Sequence, residues 1–328
     1  MQQTSLKKLR FALFVLIFLG IASLASASTG GTDVGITKTA TATATGSLPW
    51  WAWILLLSAA TFLIGIVAVL GGVGGGVLFV PLVGSFFPFH MDYVRCAGLL
   101  IALAGSLSAS PTLLRLKLAD LRLSIPAALI ASVGSIIGAR IGLALPSSVV
   151  QIAAATLMMG IAILLLFSKR SAFPEVLQTD TLGRFLGLGG TTIHPDTGEL
   201  VEWKVKNTLV GFLAFILVGL MAGMFGLGAG WANVPVLNLA MGVPLKIAVA
   251  TSNLIIAVSS TTAAWVYINK GALIPLIVVP AVIGMMGGTK IGAKLLGRLK
   301  PAAIRKVVLC LLIVSALVSY LKGFGLLG

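Results

Sequence analysis

Along this chain apolar residues come in long uninterrupted runs, and polar residues gather in the short gaps between them. One set of runs covers about residues 50–70, 76–89, 93–114, 123–144 and 149–167, and a second covers about 208–225, 230–243, 247–267, 272–293 and 303–321. A helix needs roughly 20 apolar residues to cross a bilayer, so most of these runs predict transmembrane helices. The second run of each set is too short for a full crossing and is broken by a proline, Pro81 or Pro235. Such a run either crosses as a bent, sunken span or turns back as a re-entrant hairpin.

The two sets are copies of one design. An offset of 154 residues aligns Gly65 with Gly219, Ala68 with Ala222, Gly72 with Gly226, Gly74 with Gly228, Gly76 with Gly230, Val80 with Val234 and Pro81 with Pro235. Further on, Pro126 meets Pro280, Gly138 meets Gly292, and basic Arg140 meets basic Lys294 at the same offset. That order of identities, with a Val-Pro pair in it, marks an internal repeat. The predicted fold class is an all-α polytopic membrane protein of two homologous halves, each of about five spans including the short segment. The expected divisions are residues 1–27, 28–49, 50–167, 168–206 and 207–328: a signal peptide or signal anchor, an extracytoplasmic tether, the first repeat, a cytoplasmic linker and the second repeat.

Charge chooses between the two readings of the short runs. If each crosses, a half has five spans and the second half is inverted relative to the first. The basic connection with Arg115, Lys117 and Arg122, the 168–206 linker, and the connection from Lys294 to Lys306 then share one side, which the positive-inside rule makes the cytoplasm. If the runs return, the Arg115 and Lys294 clusters fall on opposite sides, so inverted halves are expected. Trp50, Trp51 and Trp53 open the first core span as an interfacial anchor.

Composition sharpens the class. With 58% hydrophobic and 9% charged residues and a mean hydropathy of +1.11, the chain has far more apolar surface than a water-soluble globule of its size buries. The net charge of +15 sits mostly in short connections, with no aromatic-studded basic face, which argues against a nucleic-acid partner. Cys96 and Cys310 both lie in apolar stretches and support neither a disulfide framework nor a thiolate metal site. The start of the chain (Lys7, Lys8, Arg10, then an apolar core and Ala25-Ser26-Ala27) has the pattern of a secretory signal, and the Thr/Ala/Gly-rich stretch after it reads as a flexible tether. In the linker, the HPDTG turn (194–198) carries a lone histidine without repeated ligand spacing, so no metal is expected.

Two glycine clusters carry the candidate chemistry: Gly72, Gly74, Gly75 and Gly76 before Pro81, and Gly226, Gly228 and Gly230 before Pro235. A break in a membrane helix survives only where protein surrounds it or water and substrate reach it. Glycine permits positive φ and close approach, and the amides that the break frees attract anions. Paired breaks at matching places in two repeats point to a transporter's binding site. All eight acidic residues are Asp33, Asp92, Asp120 and five in the linker, so no carboxylate lies mid-span to hold a cation. Asn233, Thr251, Ser252 and Asn253, close to the second break, complete the expected substrate-binding set, with Ser259, Ser260, Thr261 and Thr262 further along. Arg95 and Lys246 are expected at span ends, their long side chains reaching the interface, where they could also help draw anions in.

The stretches GIVAVLGGVGGGVLFVPLV (65–83) and AGMFGLGAGWANVPVLNLAMGVPLKIAVATSNL (222–254) resemble the sulfite exporter TauE/SafE family of bacterial membrane transporters, and the likeness extends over about residues 50–322. The resemblance implies movement of sulfite, sulfonates or other sulfur-containing anions across the cytoplasmic membrane, usually outward. It places Gly226, Gly228, Gly230, Pro235, Thr251 and Ser252 in the motif region, with Gly72, Gly74, Gly76 and Pro81 as their partners. This chain departs from the pattern at Gly98-Leu99, where many members carry a second Thr-Ser pair, so an asymmetric site is expected. The expected partners are a small anionic substrate and the lipid bilayer. No cofactor is expected, and a coupling ion (proton or sodium) and homo-oligomerisation are left open. A passive anion channel is the alternative, and a membrane-embedded enzyme is a weaker one because no His-Glu-x-x-His or paired-carboxylate pattern occurs. No ATP-binding P-loop is present, so an ion gradient or a partner ATPase must drive uphill movement.

Overall fold

The computed structural model describes residues 50–72, 74–86, 91–167, 176, 178–193, 200–298 and 301–323. The expected leader, the tether and the HPDTG turn lie outside the described residues. What is described is an all-α polytopic membrane protein. Its first set of helices is α1 (Trp50–Gly71), α2 (Gly76–Phe86), α3 (Met91–Arg115), α4 (Leu121–Ala144) and α5 (Ser147–Phe167). A short α6 (Thr181–Phe185) and an antiparallel ribbon of β1 (Gly189–Ile193) and β2 (Leu200–Lys204) follow. The second set is α7 (Thr208–Phe225), α8 (Gly230–Pro235), α9 (Leu245–Asn269), α10 (Pro275–Arg298) and α11 (Pro301–Gly323). Among the described residues six helices, α1, α3, α4, α7, α9 and α10, are long and apolar enough to cross a membrane. Helices α5 and α11, of 21 and 23 residues, are largely apolar as well.

Helix ends form where a side chain or a glycine takes over the free backbone groups. Asp120 caps α4 by accepting from the Leu123 amide at 3.1 Å, and Gly226 ends α7 in the left-handed conformation. The short α8 runs on into a π-helical turn, Val236–Ala240, directly after Pro235, whose missing N–H disturbs the regular ladder.

The halves interleave instead of packing as separate bundles. The first helix of each half lies against the fourth helix of the other, α1 on α10 and α7 on α4, and these are the most extensive contacts in the molecule. Glycines make both seams. Gly284, Gly288 and Gly292 of α10 sit directly on the backbones of Ser58, Phe62 and Ile66 of α1, leaving no room for a β-carbon. Likewise Gly134, Gly138 and Gly142 of α4 sit on Ile216, Leu220 and Met224 of α7. The four-residue spacing puts the glycines on one helix face, and because lipid tails are as apolar as leucine, close backbone packing rather than hydrophobic burial joins membrane helices.

These contacts also settle directions. Residue numbers rise together across both seams, so α1 runs parallel to α10 and α4 parallel to α7. Helix α4 also runs parallel to α9: the Asp120 amide just before it donates to Thr251 Oγ1 (3.1 Å), and Ser135 Oγ further along donates to the Ser259 carbonyl (2.9 Å). With α7 and α9 both parallel to α4, the stretch between them, 226–244, must carry the chain back.

The described part of the linker covers the starting ends of α4, α7 and α9. Leu188, Trp203 and Val205 join Leu123, Phe212, Met241, Val243 and Ile247 in one buried cluster. Asp180 fastens it by accepting from the Thr208 amide (3.0 Å) and hydroxyl (2.7 Å).

The seams give a direct stability test. Gly138→Ala drives a β-carbon into the Leu220 backbone and is expected to cost about 1–3 kcal/mol, read as a lower Tm in detergent. Gly160→Ala on α5, where nothing lies within 4 Å, is expected to leave Tm unchanged or raise it, by up to ~1 kcal/mol of helix propensity.

Candidate functional site at the paired helix breaks

The chain leaves the helical path after Gly71 and again after Phe225, and its glycines there take the same conformations. Gly72 (φ 63°) and Gly74 (φ 77°) match Gly226 (φ 70°) and Gly228 (φ 76°) one repeat on. An L side chain is strained at such φ, so these four positions require glycine.

The two breaks touch. The β position of Gly76 lies 2.6 Å from the Leu227 carbonyl oxygen and 2.8 Å from that of Gly98. Gly74 and Gly228 face the same pair of side chains, Ala102 of α3 and Ile256 of α9, at 3.2–3.8 Å from their β positions. Gly75 packs on Met285 of α10, and Gly230 is buried at the first position of α8. Pro81 lies within α2 and Pro235 at the last position of α8.

The predicted polar residues divide into two groups. Thr251, Ser252 and Asn253 are all buried, and each has an internal bond. Thr251 Oγ1 accepts from the Asp120 amide (3.1 Å), Ser252 Oγ donates to the Gly72 carbonyl (2.7 Å), and Asn253 Nδ2 donates to the Val249 carbonyl (2.9 Å). Ser252 therefore holds the first break from the opposite half. Its repeat mate is Gly98, packed straight onto the Gly226 carbonyl with its β position at 2.6 Å. The missing hydroxyl in the first half thus has a geometric reason, since no side chain fits there.

Asn233 belongs to the other group. It is fully buried, and neither its Nδ2 nor its Oδ1 has a partner. Trp231 Nε1 on the same short helix and Ser260 Oγ on α9 are also buried and unpartnered. Ser260 Oγ lies 3.7 Å from the β position of Gly228. Among the described residues no backbone acceptor takes the amides of Leu227, Gly228, Ala229, Gly230 and Trp231 at the second break, or those of Gly74 to Leu78 at the first. Buried polar groups are ordinarily satisfied, so the unpartnered side chains of Trp231, Asn233 and Ser260 make the second break the candidate site. At the matching positions of the first half, Val77 and Phe79 stand where Trp231 and Asn233 do, and Ser106 bonds the Leu103 carbonyl of its own helix (2.9 Å). Around the breaks, the unpartnered side chains of Trp231, Asn233 and Ser260 belong to the second half, whereas unpaired amides occur at both.

Sequence reasoning missed Trp231 and misplaced Arg95. Arg95 does not reach an interface. It is 1% exposed, with its side chain lying on Gly226, because α3 begins against the end of α7, where a glycine leaves space for its stem. The signal available was that offset 154 sets this cation opposite apolar Val249. Lys246 does lie in the first turn of α9, half-buried. Among the described residues no three His, Cys, Asp or Glu side chains come together as a metal site would require. A groove of about 490 Å³ opens between α4 and α9, lined by Arg140, Trp265 and Lys270 among others, away from the breaks.

Ser252→Ala leaves the buried Gly72 carbonyl without its donor and is expected to cost about 1–3 kcal/mol, measured as Tm in detergent. Thr262→Ala removes only a bond within its own helix and is expected to change stability by less than about 0.5 kcal/mol.

Comparison with known proteins places this architecture. No solved structure matches the chain. It is 27% identical over 256 residues, 76% of this chain and 90% of the relative, to the probable membrane transporter protein YunE of Bacillus subtilis (strain 168). Residues 57–319, from within α1 to within α11, match the family described as Sulfite exporter TauE/SafE. With most of its length inside that match, the chain belongs to the sulfite exporter TauE/SafE family of membrane transporters.

Proposed function

We propose that this protein is a secondary transporter that moves a small sulfur-containing oxyanion, sulfite or a sulfonate, out across the bacterial cytoplasmic membrane. The substrate passes through a midplane site where the two breaks meet. The observation that carries this reading is the set of unpartnered groups at the second break: the amides of 227–231, Trp231 Nε1, Asn233 and Ser260 Oγ. Most are hydrogen-bond donors, and no acidic residue follows Glu202 in the chain. Donors without carboxylates suit an oxyanion and repel nothing about it. The family's description as a sulfite exporter supports the substrate class.

The two halves are read as inverted repeats, residues 50–167 and 207–328, that rock about the site to alternate access. Parallel running of α1 with α10, of α4 with α7 and of α4 with α9 supports inversion. So does the gathering of Arg115, Lys117, Arg122 and the linker about the starting ends of α4 and α7, a basic face suited to the cytoplasm.

Sulfite counterflow in proteoliposomes tests the proposal. Wild-type protein is expected to give saturable exchange, Gly228→Leu to abolish it by filling the break, and Asn233→Ala to lower the rate about tenfold, as for loss of a hydrogen bond to a charged group. Flux that does not saturate would make the protein a passive channel, and absence of any oxyanion flux from folded protein would withdraw the substrate.

A further inference from the structure

Arg95 is the buried charge that the fold does not explain. It stands in the second turn of α3, 1% exposed, with its Cα, Cβ and Cγ pressed on Gly226, the first left-handed glycine of the second break. Only one of its terminal nitrogens is occupied: Nη1 donates to the Gly142 carbonyl at 2.8 Å and to Asp92 Oδ1 at 3.2 Å. Nε and Nη2 have no partner. Tyr267 lies beside the guanidinium, its hydroxyl oxygen within interaction reach of it, and directs its hydroxyl proton to the Gly223 carbonyl (3.1 Å).

The two empty nitrogens are not an arbitrary pair. In a guanidinium, the Nε–H and the nearer Nη2–H lie parallel on one edge and form the fork that takes two oxygens of a carboxylate or an oxyanion. A purely structural arginine buried in a membrane bundle would use that edge, because every unmet donor there carries a desolvation cost. Here the opposite edge is fastened by Asp92 and Gly142, which fixes the orientation and offsets the buried charge while the fork stays open. The repeat supports a special role. At the matching place Val249 lies on Gly72, so the first break has no cation.

We infer that the Arg95 Nε/Nη2 fork is a subsite for the transported oxyanion, binding two of its oxygens on the side of the second break away from the linker. This inference rests on the anion-transport reading above and adds to it a residue that sets selectivity. A fork matches an ion with two oxygens in one plane. It gives little to a halide, which attracts a lysine ammonium as well as an arginine.

The test is sulfite counterflow with chloride as competitor, using the full chain in proteoliposomes and Tm in detergent to show folding. Arg95→Lys keeps the charge and removes the fork. Its KM for sulfite is expected to rise about tenfold or more while inhibition by chloride stays unchanged. Unchanged sulfite KM, or an equal change for sulfite and chloride, overturns the inference and leaves the transport reading standing. Should Arg95→Lys not fold, Asp92→Asn decides: it removes a negative charge near the fork, and sulfite KM is expected to fall about threefold. An unchanged KM in that variant means an inert ion pair and overturns the inference. If wild-type protein carries no oxyanion at all, the transport reading fails and the inference falls with it.

Discussion

Inside a membrane, a backbone amide or carbonyl that leaves a helix has no water to turn to, and the rest of this structure follows from that constraint. The helical path is broken twice, and neither break is tenable alone. Each is held by the other half. Ser252 donates to the carbonyl of Gly72, Gly98 packs bare onto the carbonyl of Gly226, and Gly76 rests on the carbonyl of Leu227. Such closeness demands that the halves interleave, and the glycine seams of α1 with α10 and of α4 with α7 let them do so.

Duplication supplies a symmetric frame, and side chains then make it one-sided. The breaks share their glycine φ angles to within ten degrees. Around them, however, Trp231 and Asn233 face the repeat mates Val77 and Phe79, Arg95 faces Val249, and Ser252 faces Gly98. The side chains about the first break are apolar. The second is surrounded by groups whose hydrogen-bonding capacity is unspent.

Much of the frame was legible in the chain. The lengths of the apolar runs predict the helices because hydrocarbon thickness leaves few alternatives, and the match of Gly72, Gly74 and Gly76 with Gly226, Gly228 and Gly230 locates both breaks because only glycine tolerates that backbone. The absence of mid-span carboxylates bears on the sign of the ligand. These are properties of single residues or of local periodicity, which one dimension preserves.

The rest depended on partners distant in sequence. Thr251 and Ser252 are indistinguishable from ligand groups until Asp120 and Gly72 are found at their hydroxyls, and Arg95 resembles a snorkelling span end until α3 is seen to begin against the end of α7. Whether a polar atom is spent or free is a matter of which helices cross, and that is decided by packing between halves. The sequence by itself determined the spans, the repeat and the positions of the breaks, because bilayer thickness and backbone sterics act locally. Only the tertiary structure decided which donors remain empty at those breaks, because hydrogen-bond satisfaction inside a membrane is settled between helices.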